Sequence, residues 1–268
     1  VFAIDAASYL VSAAFLARTV IPQQTETGTG RGAGDVLRGI AEGLGYMRGH
    51  PSVGRIALAK ALWTVGVGGI YYLFVIIAPT LAPQAPSTAI GLLYAAAGLG
   101  TGIGPVVVRG LFTDRHQWPV VIGGAVALCG LCYVGVGLLP WSSSLPVIAV
   151  VCALVVVGHA ASGGNWVLST VILQKRTADR YRGRVFSTEW LFVTSAESLS
   201  ILAGSTLLEL GWLTLEEAVL AFGTLQVACG LAWIAIVVPR ERRDEAGEAG
   251  GTSDAVSAET LGEGEQRP

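Results

Sequence analysis

KRTADRYRGRVF, residues 175–186, is the most basic stretch of the chain. Five of the seventeen Lys and Arg residues lie in it: Lys175, Arg176, Arg180, Arg182 and Arg184. A long apolar run precedes the stretch and another follows it. In membrane proteins, loops rich in Lys and Arg lie on the cytoplasmic side. We therefore predict that this loop connects two transmembrane helices in the cytoplasm.

The composition of the whole chain is that of a membrane protein. Of the 268 residues, 52% are hydrophobic and only 13% are charged, whereas about a quarter of the residues in soluble domains are charged. The net charge of -2 gives no reason to expect a nucleic-acid partner. We find no nucleotide-binding glycine loop, metal-ligand cluster or Ser-His-acid arrangement, so we expect neither enzymatic activity nor a metal or other cofactor.

The apolar residues form seven runs long enough to cross a bilayer, which needs about 20 residues. They cover residues 2–20, 56–81, 88–108, 118–139, 146–173, 188–210 and 218–238. Before the second run, Asp35 to Arg48 has the apolar spacing of an amphipathic surface helix. We predict a transmembrane helix in 1–21, a cytoplasmic linker with a surface helix in 22–55, a six-helix bundle in 56–239 and a disordered acidic tail in 240–268.

The connections between the runs alternate in charge. Those at 79–87, 140–146 and 209–217 contain no Lys or Arg. All seventeen basic residues lie in the other connections, at the helix ends that adjoin them, or in the tail. This alternation predicts a multi-pass protein of a plasma membrane whose C-terminus is cytoplasmic.

Polar residues inside the runs are the candidates for function, because such a group in hydrocarbon is costly unless it faces a cavity or a partner. Glu197, His159 and Asn165 are predicted near the membrane midplane; Glu197 lies about 15 Å along its helix from Ser187. Glu197 either binds a proton or a cation, or is a structural carboxylate held by Ser and Thr hydroxyls. His159 either lines a cavity or forms a hydrogen bond between helices. Asn165 either has a functional role or is structural.

Other polar residues of the runs are expected to have structural roles. Glu189 lies near the basic loop and is predicted to pair with Arg182 or Arg184. Lys60 is predicted to extend its ammonium group to the membrane surface. Runs 118–139 and 218–238 contain no ionisable residue and a single amide, Gln226, and are therefore expected to face lipid.

Small residues also form patterns. Gly98 with Gly102, and Gly100 with Gly104, have the spacing that lets two transmembrane helices approach closely; the alternative is a helix that bends during function. Cys129 and Cys132 have a C-x-x-C spacing, which occurs in redox and metal sites. No second cysteine pair supports such a site, so we favour apolar packing.

Four patches resemble segments of one known family. FAIDAASYLVSA (2–13), EGLGYMRGHP (42–51) and DRYRGRVFS (179–187) are similar to three segments of the C-terminal half of a major facilitator superfamily transporter, in the branch of enterobactin-exporter-like and macrolide-efflux-like proteins. They correspond to helix six, the surface helix after it, and the loop between helices ten and eleven. GLFTDR (110–115) is similar to the G-x-L-x-D-R motif between helices eight and nine, with Phe112 replacing the usual Leu.

This resemblance implies an all-α membrane protein: the C-terminal six-helix bundle of the superfamily, made of two inverted three-helix repeats, plus one preceding transmembrane helix. We then expect the chain to be a fragment whose substrate path is completed by an N-terminal six-helix half. Gly110, Asp114 and Arg115 become candidates for a gate, because an Asp at a helix end can pair with Arg or with a helix dipole in one conformation only.

The function that the resemblance implies is secondary active transport, with proton-coupled efflux of a small amphipathic compound by alternating access. Glu197 is our first candidate for the coupling carboxylate. The expected partners are the lipid bilayer, a small-molecule substrate and the N-terminal half, and no nucleic acid. A multi-pass subunit that transports nothing, or a receptor, is the alternative.

Overall fold

The computed structural model describes the backbone of residues 2–19 and 33–264 and the side chains of residues 6–19 and 34–247. This part of the chain is helical and contains no strand, which confirms the all-α prediction. The helices are α1 (Phe2–Arg18), α2 (Ala33–Gly49), α3 (Pro51–Ala57), α4 (Ala59–Leu81), α5 (Pro86–Leu111), α6 (Trp118–Leu138), α7 (Leu145–Arg176), α8 (Arg182–Glu209) and α9 (Leu215–Gly264). Short 3₁₀ turns, Arg115–Gln117 and Asp179–Tyr181, precede α6 and α8.

The chain divides between Arg38 and Gly39 into two compact units. The first unit contains α1, a helix of 17 residues. It is shorter than the roughly 20 residues that a spanning helix needs, so the transmembrane helix predicted for residues 1–21 stays a prediction. Residues 20–32, which include the first part of the region predicted as linker and surface helix, lie outside the described part of the chain.

The second unit contains the membrane-spanning bundle. Among the described residues, six helical segments are long and apolar enough to cross a membrane: Pro51–Leu81, Pro86–Leu111, Arg115–Leu138, Leu145–Arg176, Asp179–Glu209 and Leu215–Gly247. Proline occupies one of the first two positions of α5, α6 and α7, where its missing N–H costs no helical hydrogen bond. Helix α8 ends before Gly211, whose φ of 66° turns the chain toward α9.

The bundle is organised as helix pairs. Helix α4 packs against α8, α5 against α7, and α6 against α9, and α6 also contacts α7. The larger apolar cluster is built mainly from α4, α5, α6 and α9, and Phe74 and Tyr133 are among its largest buried side chains. We call the end where α5 and α7 finish and α6 and α8 begin the basic end. At the opposite end, the turns at 82–85, 139–144 and 210–214 contain no Lys or Arg.

The two glycine repeats of α5 differ in their surroundings. A Cβ atom on Gly100 would lie 2.3 Å from the carbonyl oxygen of Val156, and one on Gly104 would lie 2.0 Å from that of Ala160. Nothing lies within 4 Å of the same position on Gly98 or Gly102. Only the Gly100 and Gly104 pair therefore brings α5 against α7, as a small-residue contact between membrane helices does.

The prediction that 218–238 faces lipid is wrong for Gln226. Its side chain is fully buried, and a Cβ on Gly66 of α4 would lie 2.1 Å from its Oε1 atom. A Cβ on Gly130 of α6 would lie 2.9 Å from its Cβ. Because two neighbouring helices have glycine at these positions, there is space for the Gln226 side chain inside the bundle.

In the described part of the tail that was predicted to be disordered from residue 240, α9 continues through Pro239 to Gly264. Glu241 is only 1% exposed and accepts a hydrogen bond from Arg55 Nε at 2.7 Å. It also pairs with Arg176, and Asp244 pairs with Arg55. The composition of the tail suggested disorder, but its first acidic residues bind the basic helix ends of the bundle.

Candidate functional site

His159 lies at the junction of three helices. Its ring is fully buried in α7, with Nδ1 3.2 Å from the hydroxyl of Tyr71 in α4 and Nε2 2.6 Å from the hydroxyl of Tyr133 in α6. A neutral imidazole has one donor and one acceptor nitrogen, so one tyrosine donates to the ring and the other accepts from it. Both ring nitrogens are therefore occupied, which favours the helix-packing role of His159 over a cavity-lining one.

Tyr71 connects this junction to the surface of the bundle. Its ring is half-buried and stacks on Tyr94 of α5 with a centroid distance of 6.1 Å. The Tyr94 hydroxyl donates to the carbonyl oxygen of Tyr71 at 3.1 Å. Three aromatic residues and one imidazole thus hold α4, α5, α6 and α7 together near the middle of the bundle.

Glu197 lies on α8, facing α4. The backbone of Glu197 is so close to Gly68 that a Cβ there would be 3.1 Å from the Glu197 Cα. Its side chain is half-buried, within electrostatic range of Tyr71, and has no hydrogen bond or ion pair in the described part of the chain. The Ser200 hydroxyl, a possible holder of this carboxylate, instead donates to the carbonyl oxygen of Val65 at 2.7 Å.

Asn165 is separate from this group. It is fully buried in α7, and neither atom of its amide has a hydrogen-bond partner among the described residues. The backbone carbonyl oxygen of Asn165 accepts a hydrogen bond from the Ser169 hydroxyl at 2.8 Å. A hydrogen bond therefore joins His159 to Tyr71, while Glu197 is only within electrostatic range of Tyr71. No described contact links Asn165 to any of them.

A buried ion pair lies nearer the basic end. Lys60 Nζ of α4 is 2.9 Å from Glu189 Oε1 of α8, and both side chains are at most 4% exposed. The same ammonium donates to Thr170 Oγ1 of α7 at 2.8 Å and lies 4.8 Å from the ring centre of Trp166. Trp166 in turn meets Trp190 of α8 edge-to-face at 5.6 Å. Three helices therefore meet around one pair of opposite charges.

This pair corrects two predictions. Lys60 does not reach the membrane surface, and Glu189 pairs with neither arginine that we named. Arg182 binds Asp179 at 2.8 Å, and Arg184 binds Glu42 of α2 at 2.9 Å. A sequence signal was present, because an isolated Lys and an isolated Glu in two apolar runs each need an opposite charge. The sequence did not indicate which residue would supply it.

The gate candidates lie in the last turn of α5 and in the connection between α5 and α6. Asp114 Oδ1 accepts from the backbone N–H of His116 at 3.0 Å and so caps the 3₁₀ turn. Arg115 lies above the ring of Trp118, with 6.0 Å from its Cζ atom to the ring centre. Neither forms an ion pair with any described residue, and Gly110 has open space where a Cβ would stand. The connection is instead tied to α9 by His116, whose Nδ1 is 2.8 Å from Glu245.

Comparison with known families identifies the fold. The family model of the Major Facilitator Superfamily matches residues 1–205, more than half of the chain. The chain belongs to the major facilitator superfamily. No curated protein and no solved structure gives a significant match. Since members of this superfamily are transporters and not enzymes, the chain is a multi-pass membrane transport protein.

Membership of the superfamily bears on the residues that were predicted to lie near the membrane midplane. In transporters built from inverted repeats, substrate and ion sites lie near the bilayer midplane, at the contact between the repeats. Sequence analysis selected Glu197 and His159 for that depth but missed Tyr71 and Tyr133, because tyrosine is also an ordinary packing residue in membrane helices. No group of three or more His, Cys, Asp or Glu residues suited to a metal occurs among the described side chains.

Proposed function

We propose that this chain is the C-terminal half of a secondary active transporter that exports a small amphipathic compound in exchange for protons. Its basic end lies in the cytoplasm of a cell with a bacterial-type plasma membrane, and an N-terminal six-helix half completes the substrate path. The two halves rock about the midplane site, so that it opens to each side in turn.

One observation carries this proposal. The Glu197 carboxylate is half-buried and has no hydrogen bond or ion pair in the described chain, whereas Glu189, nearer the start of the same helix, is held by Lys60. A carboxylate within a membrane helix that lacks a partner has to face a polar cavity or bind a cation or a proton. An unpaired acid is also free to bind either a proton or a cationic substrate, and competition between the two couples antiport.

The neighbouring groups have supporting roles in this proposal. His159 and Tyr71 position α4 and α7 around the Glu197 site without themselves carrying the proton. Asn165 is a second candidate for substrate binding, because its buried amide can both donate and accept hydrogen bonds. Asp114, Arg115 and Gly110 form the gate, in which Asp114 exchanges its local cap for a partner on the N-terminal half when that side closes.

Transport in proteoliposomes tests the proposal. We expect the full-length protein to move ethidium, an amphipathic cation, against a proton gradient, and Glu197→Gln to abolish this flux. Glu209→Gln removes a carboxylate from the exposed end of the same helix and serves as the matched control. Proton-driven flux at the wild-type level in Glu197→Gln would remove Glu197 from the mechanism, and flux that ignores the proton gradient would remove proton coupling.

A further inference from the structure

A groove of about 850 Å³ opens at the basic end of the bundle, next to the gate candidate Arg115. It runs between the last turns of α5 and α7 and ends at the connection that precedes α6. Its walls are apolar and include Val106, Val167 and Val171. Three cationic side chains border it: Arg109 at the end of α5, Arg115 in the 3₁₀ turn and Lys175 near the end of α7.

The three cations are not neutralised within the described chain. None of them has an ion-pair partner there, and all three are exposed. Asp114 accepts the capping hydrogen bond of the 3₁₀ turn and Glu245 binds His116, so neither acid forms an ion pair with these three cations. The groove therefore combines an unbalanced positive charge with an apolar wall.

Trp118 fixes the position of two of these charges. Lys175 Nζ lies 5.6 Å and Arg115 Cζ lies 6.0 Å from the centre of its ring. The ring itself is held by a hydrogen bond of 3.1 Å from its Nε1 to the carbonyl oxygen of Phe112. Tryptophan is enriched at the boundary between hydrocarbon and headgroups, so the charged rim lies at headgroup depth and the valine wall at acyl-chain depth.

We propose that this groove is a binding site for an anionic phospholipid. Arg109, Arg115 and Lys175 hold the phosphate, to which guanidinium groups donate paired hydrogen bonds, and the first carbons of an acyl chain lie against Val106, Val167 and Val171. A zwitterionic lipid fits less well because its added positive charge meets the cationic rim. Basic pockets between transmembrane helices on the cytoplasmic side bind anionic headgroups in this way.

Native mass spectrometry of the purified full-length protein tests the site, by titration with phosphatidylglycerol and, separately, with phosphatidylcholine of the same acyl chains. We expect one phosphatidylglycerol molecule to bind in preference to phosphatidylcholine. The double variant Arg109→Gln/Lys175→Gln is expected to weaken that binding on the order of tenfold or more, because each basic residue contributes roughly 1 kcal/mol near a membrane surface. Arg115→Gln alone gives a smaller loss in the same direction.

Two controls make the result specific. Arg48→Gln/Arg180→Gln removes two exposed cations elsewhere in the described chain and is expected to leave phosphatidylglycerol binding unchanged. Glycerol phosphate, which has the headgroup charge without the acyl chains, is expected not to compete. If both double variants lose phosphatidylglycerol binding equally, the lipid is attracted only by the net charge of the protein. If glycerol phosphate competes fully, the groove is a site for soluble anions. Either result overturns the proposed lipid site.

Discussion

At the scale of single residues, the bundle depends on polar contacts that lie within an apolar interior. The Lys60 and Glu189 pair and the imidazole of His159 each join helices that are far apart in the sequence. Removing one partner of such a contact lowers stability strongly, because the remaining buried polar group keeps its desolvation penalty without the compensating interaction. Their contribution to stability is therefore best measured by comparing single with double substitutions.

For the buried ion pair, we expect Lys60→Met alone or Glu189→Met alone to destabilise the bundle by about 3–5 kcal/mol, because each leaves one buried charge unpaired. The double variant Lys60→Met/Glu189→Met is expected to recover most of that loss, since an apolar pair can replace a buried ion pair at little cost. Thermal unfolding in detergent measures the effect.

An exposed pair provides the comparison. Arg184 and Glu42 are 2.9 Å apart with side chains 40% and 39% exposed. We expect their single substitutions to methionine to change stability by about 1 kcal/mol or less. A double variant of Lys60 and Glu189 that unfolds at a lower temperature than both of its single variants would contradict this account of the buried pair.

For the imidazole, we expect His159→Phe to destabilise the bundle by about 1–3 kcal/mol, because it leaves the fully buried hydroxyl of Tyr133 without a partner. Adding Tyr133→Phe removes that hydroxyl and is expected to restore part of the stability. A double-mutant cycle measured by thermal unfolding tests the coupling. Strictly additive effects of the two substitutions would mean that the hydrogen bond of 2.6 Å contributes nothing.

At the scale of helices, close packing depends on where the small residues face. The sequence of α5 contains two glycine repeats of equal spacing, and only Gly100 and Gly104 meet α7. Spacing alone could not distinguish them, because the two repeats differ only in the direction in which they point from the helix axis. That direction is set by the packing of the whole bundle and is not a property of α5 alone.

This difference predicts a contrast between two conservative substitutions on one helix. Gly104→Ala is expected to lower the unfolding temperature and the yield of folded protein, because a Cβ would stand 2.0 Å from the Ala160 carbonyl oxygen and force the helices apart. Gly102→Ala meets open space in this chain and is expected to leave both quantities nearly unchanged. Equal losses in the two variants would contradict the assigned α5–α7 contact.

Helix α9 illustrates the limit of arguments from composition. The sequence after residue 240 is acidic and rich in small residues, and that composition favours disorder when a segment is considered by itself. Glu241 and Asp244 instead bind Arg55 and Arg176, which belong to helices far from α9 in the sequence. Ion pairs across such a distance depend on the fold and are not visible in local composition.

At the scale of the whole molecule, the sequence was sufficient to predict the helical class, the six spanning segments of the bundle and the family. These follow from local quantities, namely the length of apolar runs and the positions of charged residues between them. Contact partners were harder to predict. To predict the contacts of Glu189, Gln226 and the gate residues, one must know which helix lies opposite each of them. Helix pairing arises from packing over the whole bundle and is not visible in one segment.

The central claim is that the chain crosses a plasma membrane with its basic end in the cytoplasm, and cysteine labelling in cells tests it most directly. Arg180→Cys reports on the loop between α7 and α8, and Ser143→Cys reports on the turn between α6 and α7; both positions are exposed. The unsubstituted protein is the control, because three of its four cysteines are buried and the fourth, Cys152, is partly buried.

We expect a membrane-impermeant maleimide to label Ser143→Cys in intact cells, and Arg180→Cys only after the cells are permeabilised. Labelling of Arg180→Cys in intact cells, with Ser143→Cys protected, would contradict this orientation and with it the proposed direction of transport.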